Sequence, residues 1–112
     1  MIYKIWRDDE WADLQASGET RGAPIDLSDG YIHFSTADQV RETVAKHFAE
    51  EDGLWIAACA EATLVGALRW EPSRGGALFP HLYAEMPLSA VKWVKPLPLG
   101  PDGAHVFPDM ES

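Results

Sequence analysis

The chain is poor in cysteine, in basic residues and in long apolar runs, and each shortage excludes something. One cysteine in 112 residues, Cys59, rules out an internal disulfide and fits a reducing compartment. The longest uninterrupted apolar stretch, Leu54 to Ala60, is seven residues, far short of the roughly 20 that a membrane helix needs. Nine Lys and Arg stand against eighteen Asp and Glu, a formal charge of −9. That surplus opposes anionic membranes and nucleic acids, which both reward a basic face. The first nine residues lack the basic-then-apolar order of a signal peptide. These exclusions point to a cytoplasmic protein and away from membrane or nucleic-acid partners, and the expectation of a small-molecule ligand rests on the polar strand residues instead.

Several chemical signatures are also missing. The four histidines lie 14, 34 and 24 residues apart, so no metal-ligand spacing exists and no metal site is expected. Gly75-Gly76 is followed by neither Lys-Ser nor a helix start, and no Gly-x-Ser-x-Gly elbow occurs.

What the chain does have is apolar and aromatic content. Hydrophobic residues make up 46%, with five Trp, four Phe and three Tyr, enough for one domain spanning 1–112 with a single core. Residues 1–6 read as a first strand, with Ile2 and Trp6 on either side of Lys4. Asp8 and Asp9 offer an N-cap, and Gly18 a stop, for a short helix. Residues 18–30, with Gly18, Gly22, Pro24 and Gly30, read as a long polar loop, a candidate rim or lid. Tyr31–Ser35 reads as a strand leading into a helix that runs to about Glu51. Thr36 and Gln39 form its capping box, and Val40, Val44 and Phe48 its apolar stripe. Leu54–Ala60 is apolar on both faces, like a central strand. Strands are expected over 64–71, 78–83 and 90–94, a second loop over 72–77, and surface coil from Pro96. Two helices against five or six short strands make a compact α+β domain, with Trp55, Ile56, Leu68, Val44 and Phe48 in the core.

Strand alternation sorts the polar residues. With Ile32 and Phe34 facing the core, Tyr31, His33 and Ser35 point the other way. Arg69 and Glu71 oppose Leu68 and Trp70, and Phe79, His81 and Tyr83 share one face. Three strands thus each turn one titratable residue, His33, Glu71 or His81, away from their most apolar side. A lone strand histidine is more often structural than catalytic, but a sheet whose second face forms a cleft would gather all three. His33-Phe34-Ser35 and His81-Leu82-Tyr83 are both His-x-hydroxyl tripeptides. Enzymes with two such tripeptides use the histidines as acid and base on a phosphate, although they want Ser or Thr where Tyr83 stands.

The run Gly30-Tyr31-Ile32-His33-Phe34-Ser35-Thr36-Ala37-Asp38-Gln39-Val40 resembles the Gly-Phe-Ile-His-x-Ser-x-x-x-Gln signature of the family called domain of unknown function 952. Leu68-Arg69-Trp70-Glu71 and Phe79-Pro80-His81-Leu82-Tyr83 resemble its two other signatures, in the same order. Tyr31 stands where Phe is commoner. The resemblance covers nearly the whole chain. It implies a split, mainly antiparallel sheet grouped with ADP-ribosyltransferase-like domains, which bind NAD in a cleft. By that likeness His33 would hold the nicotinamide ribose, His81 or Tyr83 would pack on nicotinamide, and Glu71 would stabilise a ribosyl cation, with Glu85 as a competitor. Tyr31, Ser35, Thr36, Gln39, Arg69 and Tyr83 are the expected ligand contacts, and Arg69 and Arg74 could meet phosphates. NAD is the candidate substrate, and a non-catalytic binding module and a two-histidine phosphoesterase are the competing readings.

Overall fold

Two three-stranded antiparallel sheets meet along one short seam. In the first, the order is β1 (Ile2–Arg7), β4 (Leu54–Cys59), β8 (Val91–Leu97). In the second it is β3 (Ile32–His33), β6 (Ala77–Leu82), β5 (Leu68–Ser73). At the seam the Tyr3 amide donates to the Ser35 carbonyl at 2.8 Å, and the Ser35 amide returns the bond at 2.9 Å. A third, two-stranded sheet pairs β2 (Glu19–Thr20) with β7 (Met86–Pro87). Three helices join them: α1 (Asp8–Ser17), α2 (Pro24–Asp29) and α3 (Ala37–His47). The protein is therefore a compact α+β domain with three antiparallel sheets, described by a computed structural model over residues 1–73 and 76–110.

The period-2 geometry of β1 and β4 splits the core in two. Ile2, Trp6, Ala57 and Cys59 face the second sheet and pack with Ile32, Phe34, Leu82 and Met86. Tyr3, Ile5, Ile56 and Ala58 face the other way and receive Val40 and Val44 of α3. The residues expected in one core are divided accordingly. Val44 and Ile56 are buried in the α3 cluster with Phe48 at its edge, while Trp55 and Leu68 are half-buried against the other. Burial pushes the Cys59 thiol up to about 12, so it packs as a small apolar residue.

Several expectations need correction. Residues 18–30 are not one loop: β2 and α2 occupy most of them. Pro24 sits at the first helical position, the Asp26 carboxylate accepts the Ala23 amide at 2.7 Å, and Gly30 ends the helix at φ 87°. The described chain thus has three α-helices, not two. The strand expected over 64–71 starts only at Leu68. A 3-10 turn over Glu61–Thr63 and a turn through Gly66 precede it, which buries Leu64 and leaves Val65 exposed. It then runs on to Ser73, and Pro72 is tolerated because β5 is an edge strand. Arg74, expected in the second loop as a phosphate contact, lies outside the described residues together with Gly75. The helix expected to reach Glu51 stops at His47. The tail expected to be coil from Pro96 instead continues β8 to a fully buried Leu97, and Phe107 and Met110 pack on the α3 cluster.

Candidate functional site

Cross-strand register assembles the site. His33 pairs with His81 on β6, and His81 pairs with Arg69 on β5, so these three side chains form one row on one face. Glu71 opposite Phe79 forms the next row on that face. Ile32, Leu82 and Leu68 form the row on the other side of the histidines from Glu71, and their side chains turn to the core. One sheet face therefore carries hydrophobic packing and the other carries chemistry.

The rings on the chemical face touch one another. The Tyr31 ring lies 4.6 Å from His33, 4.2 Å from His81 and 5.1 Å from Tyr83, centroid to centroid. The two imidazoles are 5.4 Å apart and edge-on. The Arg69 guanidinium sits 5.4 Å over the Tyr83 ring.

Each histidine is held by a carboxylate. His81 Nδ1 lies 2.9 Å from Glu71 Oε1, and the Tyr83 hydroxyl donates to the same oxygen at 2.6 Å. The bonds from Tyr83 and then His81 hold the Glu71 carboxyl below the usual range, and the Tyr83 hydroxyl is raised by the same bond. His33 Nδ1 lies 2.6 Å from Asp26 Oδ1, which also accepts the His33 amide at 3.0 Å. Asp26 Oδ2 accepts the Ala23 amide and lies 2.7 Å from Lys4 Nζ. The largest influence on Asp26 is burial, which disfavours its charge, yet the bonds from His33 and the Lys4 charge outweigh it and hold the carboxyl low. Asp29, one turn along α2, places Oδ2 3.0 Å from His33 Nε2.

Beside this cluster a cavity of about 540 Å³ opens between α2, α3 and β1. His33, His81, Asp29 and Lys4 line it with Phe34, Phe48, Phe79 and Ile25, so polar and titratable groups share its walls with apolar ones. A second cavity, of about 520 Å³, lies across Tyr31 and is bordered by Tyr83, Arg21 and Glu85.

The fold thus brings together His33, His81, Glu71, Tyr31, Tyr83 and Arg69. Ser35 lines the larger cavity but is buried, with its hydroxyl 3.1 Å from that of Thr43. Thr36 and Gln39 stand apart. The Gln39 side chain accepts the Thr36 amide and donates to the Leu78 carbonyl at 2.7 Å, so both serve the start of α3. Glu85 is also apart from the histidines, paired with Arg21 at 3.0 Å. Sequence reasoning missed Lys4, Asp26 and Asp29. A signal existed for Lys4, because it shares parity with Ile2 and Trp6 and so must enter the core with them. For Asp26 the signal was an acid at the third position of a helix opened by Pro24.

Among the described residues, no group of three His, Cys, Asp or Glu could hold a metal, and no helix is long and apolar enough to cross a membrane.

This layout has relatives. The family model for "Protein of unknown function (DUF952)" matches residues 5–94. The chain belongs to the DUF952 family. The crystal structure of protein CC0527 from Caulobacter crescentus is similar, with a TM-score of 0.89 and 42% identity over 94% of this chain and 92% of that one. The solution structure of CC0527 aligns at a TM-score of 0.82 and 43% identity, over 92% of this chain and 89% of that one. No curated protein matches the chain. The three stretches that resemble the family's signatures supply the whole row of site side chains from β3, β5 and β6, whereas Lys4 lies before the matched segment begins.

Proposed function

We propose that this DUF952 protein binds NAD or a related ribosyl phosphate against the ring cluster of Tyr31, His33, His81 and Tyr83 and breaks the bond between the ribose and its base, as an ADP-ribosyltransferase-like domain. The observation that carries the reading is an ionised carboxylate, Glu71, held by Tyr83 and His81 at the edge of a four-ring aromatic cluster. Tyr31 and Tyr83 offer flat surfaces for nicotinamide. His33 anchors the ribose, and Arg69, across the strands from His81, meets a phosphate. As the C1′–N bond breaks, its electron pair moves onto the pyridinium nitrogen and releases neutral nicotinamide. The developing oxocarbenium charge on the ribose is stabilised by the Glu71 carboxylate. A water oxygen then bonds to C1′ and its proton leaves to solvent, which gives ADP-ribose, nicotinamide and one proton.

A nucleotide panel read by thermal shift tests binding. A ligand at a hundred times its dissociation constant adds about 2.7 kcal/mol to folding stability, and NAD should be selected. Nicotinamide release should then fall at least about 100-fold in Glu71→Gln, the scale of losing one electrostatic contact to a transition state. Stabilisation by NAD without release assigns a binding module. Failure of NAD with selection of cyclic phosphodiesters favours the second reading, acid–base catalysis by the histidine pair. That reading draws support from the 5.4 Å spacing of two imidazoles, each held at Nδ1 by a carboxylate.

A further inference from the structure

We infer that Asp26, buried between Lys4 and His33, is a positioning residue that fixes a proton on His33 Nδ1 and leaves Nε2 as the nitrogen offered to the cavity. The inference is about the free protein. Only its consequence, which face of His33 meets a ribose, rests on the function proposed above.

The geometry around Asp26 admits donors alone. Oδ1 faces the ring Nδ1 and the amide of His33, and Oδ2 faces the Ala23 amide and the Lys4 ammonium. A carboxylate satisfies all four, because each oxygen has two lone pairs. The side chain of Asp26 is 0% exposed and that of Lys4 7%, so neither can exchange these partners for water. Such a fixed acceptor at Nδ1 requires the proton there, and the state of one imidazole nitrogen determines what the other can do. The carboxylate at Nε2, from Asp29, is 41% exposed and lines the cavity. A ligand can therefore displace Asp29 but not Asp26. One helical turn of α2 presents a permanent partner and a replaceable one to the two nitrogens of one ring.

An amide at position 26 breaks this arrangement, since its NH2 must face two of the four donors. Turned toward Lys4 it meets a buried positive charge. Turned toward His33 it meets an imidazole nitrogen that can give up its proton and accept. Asp26→Asn should accordingly strip the proton from His33 Nδ1 and leave one on Nε2 alone, where the Asp29 carboxylate accepts it.

Long-range proton–nitrogen NMR on the ligand-free protein reads this directly. In the natural protein His33 Nδ1 should carry a proton, in Asp26→Asn it should not, and in Asp29→Asn it should remain. A bare Nδ1 in the natural protein overturns the inference even if Asp26→Asn fails to fold. A folded Asp26→Asn with Nδ1 still protonated overturns it too, because a purely structural Asp26 would leave the tautomer unchanged. The spectra need no nucleotide, so a silent nucleotide panel beside the expected tautomers would retire the proposed function and keep the positioning role.

Discussion

The two histidine–carboxylate pairs are built in opposite senses. In the β3 pair the carboxylate is hidden: Asp26 is inaccessible, while the His33 side chain is 31% exposed. In the β5–β6 pair the imidazole is hidden: the His81 side chain is 4% exposed and that of Glu71 36%. A buried charge must be fully partnered, and Asp26 accordingly holds two backbone amides, an imidazole and an ammonium. An exposed charge has water as an alternative, and among the described residues Glu71 accepts hydrogen bonds from two side chains. The first pair is therefore part of what holds α2 and β1 against β3. The carboxylate of the second is open to water, so its removal leaves no charge buried and unpaired.

Removing each carboxylate in turn should break the comparison most visibly. Asp26→Ala leaves Lys4 buried and uncompensated and should cost about 3–5 kcal/mol, a large part of the stability of so small a domain. Glu71→Ala should barely move the denaturation midpoint. Chemical denaturation of the two variants side by side checks this, and equal losses would mean that the second pair is as structural as the first.

Acid sharpens the contrast at a smaller scale. The Asp26 carboxyl is held below its ordinary value in the folded protein, so the unfolded chain takes up its proton first as pH falls. The stability this group lends is complete above the ordinary carboxylate value of about 3.9 and drains away as pH drops through the depressed folded value. Lys4→Met removes one of the influences that depress it. The variant should lose stability at a higher pH than the natural protein, in an acid titration followed by tryptophan fluorescence. The smallest effect is expected at Tyr83. Tyr83→Phe deletes the first of the bonds that hold the Glu71 carboxyl low, so the Glu71 pKa should rise toward its ordinary value with the fold unchanged. Carbon-detected NMR titration of that carboxyl measures the shift, and an unmoved Glu71 would mean that His81 alone holds it.

Local pattern made much of this molecule legible in advance. The alternation of Tyr31, His33, Phe79, His81 and Tyr83 against Ile32, Phe34 and Leu82 follows from the pleat of a strand. The start of α3 could be read from Thr36 and Gln39, three residues apart. These are matters of a few neighbouring residues, and the sequence by itself determined them. The pairing of Lys4 with Asp26 joins residues 22 positions apart on a strand and a helix that never hydrogen-bond as one element, and no periodicity encodes it. The division of the core by β1 and β4, the packing of Leu97 and Phe107, and the arrival of Glu71 beside His81 likewise depend on which strands and sheets become neighbours. Those were decided only by the tertiary structure, because a buried charge or a cleft wall is defined by what the rest of the chain places around it.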